Sequence, residues 1–254
     1  MSGIDVSSVG IIALVPDHWG NMWQARHHLL SRVAERCNVA WMNPAHHWRT
    51  IFRSHNAQRS DNAATPPDAR LRICDAPLWL PRFHGQRRLD DMTLGLRLRA
   101  ARQSLVRAGA RHIVLYLWRP EFASALRLVR HHLSCYHIDD EYSFSTSDVP
   151  TSPDELRLLN QVGQVFIHSE TMLRAKGGIN PHTSHIPNGV DYARYSQSTP
   201  EPDDLRAIPG PRIGYSGWLK PQINWPLLQA LAERHPAWSF VFVGDQQRQP
   251  EVAD

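Results

Sequence analysis

Short apolar runs alternate with stretches of helical periodicity along nearly the whole chain, and this rhythm restricts the fold more than any other feature. Alternation of that kind marks α/β architecture with a mainly parallel sheet. "VGIIALV" (9–15), "NVAWM" (38–42), "LRICDA" (71–76), "HIVLYLW" (112–118), "CYHID" (135–139), "QVFIH" (164–168) and "TSHIP" (183–187) read as strands. "HIVLYLW" is apolar on both faces, as a buried parallel strand must be. Helices are predicted over 20–36, 87–107, from Pro120 to about His132, over 153–161 and briefly after Ser169. Their ends carry chemical signals. Ser152-Pro153-Asp154-Glu155 is a capping box with proline at the first helical position, Ser169 is an N-cap, and Gly109 is a C-cap. The polar segment 53–70 reads as a long loop.

The rhythm pauses once. Residues 196–210, "SQSTPEPDDLRAIPG", read as a linker. After it come a strand (212–217), a helix (224–235, with Pro226 in its first turn) and a strand (238–245). The expected organisation is therefore a Rossmann-like domain over 1–195, the linker, and the first βαβ of a second Rossmann-like domain over 211–254. Two strands cannot bury enough surface to stand alone, so exposed apolar surface is expected there, and the second domain reads as incomplete. "HIPNGVD" (185–191) sits before the linker. Asn-Gly is a strong hairpin signal, but Pro187 and the polar sequence that follows argue against one. The prediction is instead the exit of the last strand, with Asn188 and Gly189 making a sharp turn at an interdomain cleft.

The chain of 254 residues is 42% hydrophobic and 20% charged, values suited to a soluble globular protein. The first apolar run follows Asp5 rather than a basic segment and has no cleavage pattern after it, so it reads as a strand and not a leader. Cys37, Cys74 and Cys135 are odd in number and far apart, which suggests neither a disulfide framework nor a zinc site and points to a reducing cytosol. The net charge is +4, Lys176 and Lys220 are the only lysines, and the arginines are scattered. That pattern favours small anionic ligands such as phosphates over nucleic acid. Histidine pairs at 27–28, 46–47 and 131–132 have no metal-ligand spacing, so no metal is expected.

Ligands of open α/β sheets sit at the carboxyl ends of the strands, so the loops there hold the candidates. "PDHWGNMWQAR" (16–26) lacks the GxGxxG fingerprint, which disfavours a nicotinamide-dependent enzyme. Trp19 and Trp23 either stack on a sugar or base or pack beneath the loop, and Arg26 suits a phosphate. Trp118 ends another strand at the same edge. Asp139, Asp140 and Glu141 are consecutive carboxylates that repel one another, so at least one should face a ligand or a basic partner. They fit an acid or base for a hydroxyl, a metal-binding acidic pair, or capping and loop salt bridges. Gly217, at the end of the 212–217 strand, lets a backbone approach phosphate, and Lys220 adds charge.

Taken together, "WGNMWQARHHLLSRVAE", "VAWMNP", "YHIDDEYSF", "VFIHSETMLRAKGGINPHTSHIPNGVD" and "IGYSGWLKPQINWPLLQALAERHPAWSFVFVGD" resemble GT-B-fold glycosyltransferases of the family-4-like group 1 kind, in the branch serving bacterial cell-surface polysaccharides. Two departures stand out: His137 replaces a usual acid, and Gln222 and Asn224 stand where Arg and Asp are common. The resemblance implies an amino domain for the acceptor and a carboxyl domain for a nucleotide-sugar, which is a co-substrate rather than a cofactor. It implies retention of anomeric configuration, usually without metal. It gives catalytic roles to Asp140 and Glu141, acceptor binding to Trp19, Arg26, Trp118, Asn188 and Gly189, and donor binding to Gly217 and Lys220. It also implies a glycan or lipid-linked acceptor, with peripheral association at the inner face of the cytoplasmic membrane. Much of the donor half is absent from these 254 residues, so the chain alone is expected to be inactive. The competing expectation is a non-catalytic binding protein or remnant that keeps the acceptor domain.

Overall fold

The computed structural model describes residues 4–49, 68–83, 85–140, 151–217, 219–220 and 223–245. The chain divides into two compact units, 1–189 and 190–254. The first is built on a parallel sheet of β1 (Val9–Leu14), β2 (Asn38–Met42), β3 (Leu71–Cys74), β4 (His112–Leu117), β5 (Leu133–Ile138), β6 (Gln164–Ile167) and β7 (Thr183–His185). The strand order is β3-β2-β1-β4-β5-β6-β7. From β1 the chain builds outward to β3, then returns to place β4 on the other flank of β1. This is a Rossmann-like arrangement, as the apolar rhythm predicts, and the reversal opens a crevice at the carboxyl ends of β1 and β4.

Side chains alternate across the strands, so each face has its own core. Ile12, Leu14, Leu115, Leu117, Tyr136 and Ile138 face α2 (Arg87–Arg107) and α4 (Pro153–Gln161), which contribute Leu98, Leu105, Leu158 and Leu159. Ala13, Trp41, Tyr116, Trp118 and Cys135 face the other way, where α1 (Ala25–Ala34) supplies Leu30 and Ala34. Between β5, α4 and α5 (Glu170–Lys176) lies a buried polar triad. Lys176 Nζ donates to both Glu155 carboxylate oxygens at 3.0 and 3.1 Å, and the Tyr136 hydroxyl donates to Oε1 at 3.0 Å.

The capping signals act as read. Ser152 Oγ accepts the Glu155 N–H at 3.1 Å, and Ser169 Oγ accepts that of Met172 at 3.2 Å. Gly109 has φ 94°, and the Ala110 N–H returns to the Leu105 carbonyl at 3.0 Å, closing α2. Two helices differ from expectation. The first starts at Ala25 rather than 20, because the Gln24 N–H is taken by His27 Nδ1 at 3.0 Å and fixes the helix start there. Beyond Pro120 there is a 3-10 turn (Pro120–Phe122) and one turn of α3 (Ala125–Leu128), not a helix to His132. Val129 is already extended, and the His132 N–H donates to the Ile113 carbonyl at 2.8 Å, so strand pairing begins before a longer helix can form. Nor is there a turn at Asn188–Gly189: residues 186–191 form no turn or bend, and neither residue has positive φ. The Ile186 N–H still pairs with the Ile167 carbonyl at 2.8 Å, one residue beyond β7.

The second unit contains α6 (Tyr192–Tyr195), α7 (Asp203–Arg206), β8 (Arg212–Ser216), α8 (Trp225–Arg234) and β9 (Ser239–Val243). β8 and β9 pair in parallel, and no residue of β8 or α8 is buried. Ile213, Tyr215, Trp225, Leu227 and Val243 are all exposed, as two unaccompanied strands require.

Candidate functional site

The carboxyl edge of the large sheet gathers an ordered set of polar groups. Arg26 projects from the first turn of α1 and is buried. Its Nε donates to Asp17, in the loop after β1, and its Nη1 donates to Asp139, at the end of β5. One guanidinium thus ties together the ends of two strands and a helix. Asp139, in the three-carboxylate run, thus meets a basic partner. Asp140 beside it is exposed, and Glu141 lies outside the described residues.

Trp19 is 2% exposed and packs among Trp23, His27 and Trp41, with ring centroids 5.2–5.5 Å away. Trp118 is 1% exposed and stacks on His137 at 5.4 Å. Both tryptophans belong to the core of the α1 face, while Trp23 is the exposed one of the first loop. Burial pushes the His137 imidazole down to about 4, with the His168 and Arg26 charges acting in the same direction. His18 and His27 are also shifted downward by burial. Asn188 and Gly189 are exposed beyond β7.

In the second unit Gly217 and Lys220 follow β8. Gly217 donates its N–H to the Val243 carbonyl at 2.9 Å, and Lys220 is exposed. The Gly217 carbonyl lies so close to Gly244 that a Cβ there would sit 1.9 Å from it.

The concave feature at the β1/β4 reversal is formed by residues the sequence reading did not single out. A cavity of about 110 Å³ opens between the ends of β1 and β2, the 3-10 turn after β4 and the first half of α2. Leu14, Met42, Pro81 and Phe122 make apolar walls, and Arg82, Asp90, Arg97 and Glu121 supply charge. Behind it the Asn43 Oδ1 accepts the Trp19 N–H and Trp41 Nε1–H, both at 2.9 Å, and its Nδ2 donates to Asp75 at 2.6 Å. The Asn43 backbone carbonyl accepts from Arg97 Nη2. Asp90 accepts the Phe83 N–H at 2.9 Å, with Arg82 4.0 Å away. Arg97 makes no ion pair among the described residues, and its Nε is buried without a hydrogen-bond partner. Burial lowers its pKa, and electrostatic coupling to Cys74 and to the Asp90 and Asp75 carboxylates opposes that. A usable signal existed: Asp90, Thr93 and Arg97 follow i, i+3, i+7 spacing beside the apolar stripe Leu94, Leu98, Ala101, Leu105. Among the described residues no group of three or more His, Cys, Asp or Glu is placed to hold a metal ion, and no helix is long and apolar enough to cross a membrane.

A Rossmann-like parallel sheet with its cavity at the strand-order reversal defines the chain as an open α/β protein, and its fold is of the GT-B glycosyltransferase kind. No family model matches the sequence. Over 107 residues the chain is 26% identical to TuaH of Bacillus subtilis (strain 168), named as a teichuronic acid biosynthesis glycosyltransferase; the match covers 39% of this chain and 26% of that protein. The crystal structure of Anabaena Alr3699/HepE in complex with UDP and glucose shares the fold at a TM-score of 0.58 and 18% identity, covering 94% of this chain and 62% of that one. The chain thus spans about a quarter of the curated relative's length and about three-fifths of the solved structure's.

Proposed function

We propose that the chain takes part in moving a sugar from a nucleotide-sugar to a glycan or lipid-linked acceptor, with residues 1–195 on the acceptor side and 211–254 opening the nucleotide-sugar domain. The observation that carries this is the cavity at the reversal of strand order, where α/β sheets take their ligands. The likeness to TuaH and HepE supports the same class of chemistry.

In this reading Asp140, exposed at the end of β5, and the adjacent Glu141 orient the acceptor hydroxyl or accept its proton. The Arg26 clamp holds the β5 end in place next to Asp140. Lys220 and the backbone at Gly217 meet the diphosphate, where cationic and N–H groups stabilise the leaving group. Transfer of a hexose proceeds with retention and without metal, and the nucleotide-sugar is a co-substrate. The acceptor side also associates peripherally with the inner face of the cytoplasmic membrane. Exposed Leu78, Trp79 and Met92 with exposed Arg87 and Arg88 support this, since apolar side chains flanked by arginine suit an anionic interface.

Among the described residues the second unit has two strands, β8 and β9. In this reading the chain by itself binds nucleotide-sugars weakly and turns nothing over. The test is amide NMR of the full chain with neutral glycosides, followed by a transfer assay with UDP-, GDP- and dTDP-sugars. Shifts confined to Thr93, Glu121 and neighbouring cavity residues are expected, with no transfer. Glycosides that leave the cavity untouched sink the acceptor reading, and robust turnover sinks the inactivity of the isolated chain.

A further inference from the structure

The cavity contains an arginine that makes no ion pair among the described residues. Arg97 spends a single donor, Nη2, on the Asn43 carbonyl, and its Nε is buried with no partner. The nearest carboxylates are committed elsewhere. Asp90 receives the Phe83 N–H with Arg82 at its other oxygen, and Asp75 receives Asn43 Nδ2. Asn43 Oδ1 is occupied by Trp19 and Trp41. Of the other lining side chains, Leu14, Pro81 and Phe122 are apolar, Met42 offers only a weakly accepting thioether, and the Thr93 hydroxyl turns to the Leu89 and Asp90 carbonyls of its own helix. A guanidinium placed against apolar walls carries a desolvation cost that an anion relieves. Its planar fork matches the two oxygens of a carboxylate or phosphate. Glu121 is exposed on the same cavity, where it disfavours a second negative group and accepts from a hydroxyl.

We propose that the cavity binds an acceptor sugar carrying one anionic substituent, a carboxylate or a phosphate, with the anion held by Arg97 and the neutral hydroxylated part directed toward Glu121. This rests on the acceptor-side reading of the first unit and makes Arg97 a determinant of acceptor specificity.

The test uses the full 254-residue chain and three probes that differ only at the sugar C6 position: methyl glucoside, methyl glucuronoside and methyl glucoside 6-phosphate. Affinities come from amide NMR titration, which also shows where each probe binds. One or both anionic probes are expected to bind roughly tenfold or more tightly than the neutral one, as charge-assisted hydrogen bonds allow. The stronger of the two identifies carboxylate or phosphate as the source. Arg97→Met is expected to reduce the anionic probe to the affinity of the neutral one, and Arg97→Lys to retain part of the preference. Equal affinity for all three probes, with shifts in the cavity, overturns the anionic acceptor and leaves the acceptor site standing. An anion preference that survives in Arg97→Met overturns the role of Arg97. Shifts in the cavity from none of the probes overturn both readings. If Arg97→Met does not fold, the wild-type comparison and Arg97→Lys decide the matter.

Discussion

His137 makes the stability of the first unit sensitive to mild acid. The imidazole is 6% exposed, stacks on Trp118 and lies 2.9 Å from the Tyr116 hydroxyl. Burial pushes its pKa down to about 4, from an ordinary value of 6.5. Its folded pKa is depressed, so on acidification the unfolded chain takes up the proton first. The contribution is complete above about pH 6.5, falls as pH drops through the window from 6.5 to about 4, and is gone below it. Integrating over that window gives a loss of about 2 kcal/mol between pH 7 and pH 5, and about 3 kcal/mol in all. His18 and His27 are depressed by burial too and act in the same direction. The perturbation is His137→Gln, which cannot titrate and still offers Tyr116 a hydrogen-bond partner. Urea unfolding followed by tryptophan fluorescence at pH 5 to 7 gives the comparison. The variant should be less stable at pH 7 but lose about 2 kcal/mol less on going to pH 5. Parallel stability curves for the two proteins, or a His137 ring resonance titrating near the ordinary histidine value, would refute the assignment.

Further outcomes follow from the other buried and crowded positions. Lys176→Met strands the buried Glu155 carboxylate and should cost about 3–5 kcal/mol in urea unfolding; adding Glu155→Gln should recover much of it, because the glutamine still meets Tyr136. Arg26→Ala frees Asp17 and Asp139 at the sheet edge, so the midpoint should fall and amide exchange should rise around both, whereas an unchanged exchange pattern contradicts the clamp. Gly244→Ala combines φ 150° with a Cβ 1.9 Å from the Gly217 carbonyl, so resonances of β8 and β9 should broaden or shift while those of the first unit stay put. Trp79→Ser should lower co-sedimentation with vesicles of anionic lipid and leave unfolding unchanged, since Trp79 is 73% exposed.

Local chemistry explains what could be read from the sequence and what could not. α2 and α4 match in both bounds because each carries its own stop or start signal, Gly109 and Ser152-Pro153. α1 carries none as strong, and its start is set by a Gln24–His27 contact that propensity does not anticipate. The candidate site was legible as an edge of the sheet but not as a set of side chains. Six arginines lie on α2; helical spacing puts Arg97 beside the apolar stripe, and tertiary placement then sets it against the cavity. The tryptophans misdirect for a related reason: aromatic residues at strand ends suit both sugar stacking and core packing, and the partners of Trp19 and Trp118 come from distant strands. Asn188–Gly189 favours a turn locally, but strand-type pairing extends to Ile186 and no turn forms after it.

The strand order has a consequence for how the protein is made. β1, the earliest of the described strands in chain order, sits in the middle of the sheet, and one of its neighbours, β4, begins only at His112. At roughly 5–20 residues per second of synthesis, β1 waits on the order of 5–20 s with one backbone edge open. During that wait the nascent sheet is β3-β2-β1, and its open side is among the most apolar stretches of the chain. The finished flanks are short and partly polar by contrast, "LRIC" at β3 and "TSH" at β7, which discourages pairing with another chain. Vulnerability to misassembly is therefore concentrated in the half-made protein, and translation rate between residues 42 and 112 should govern soluble yield more than any substitution on the exposed surface of the first unit.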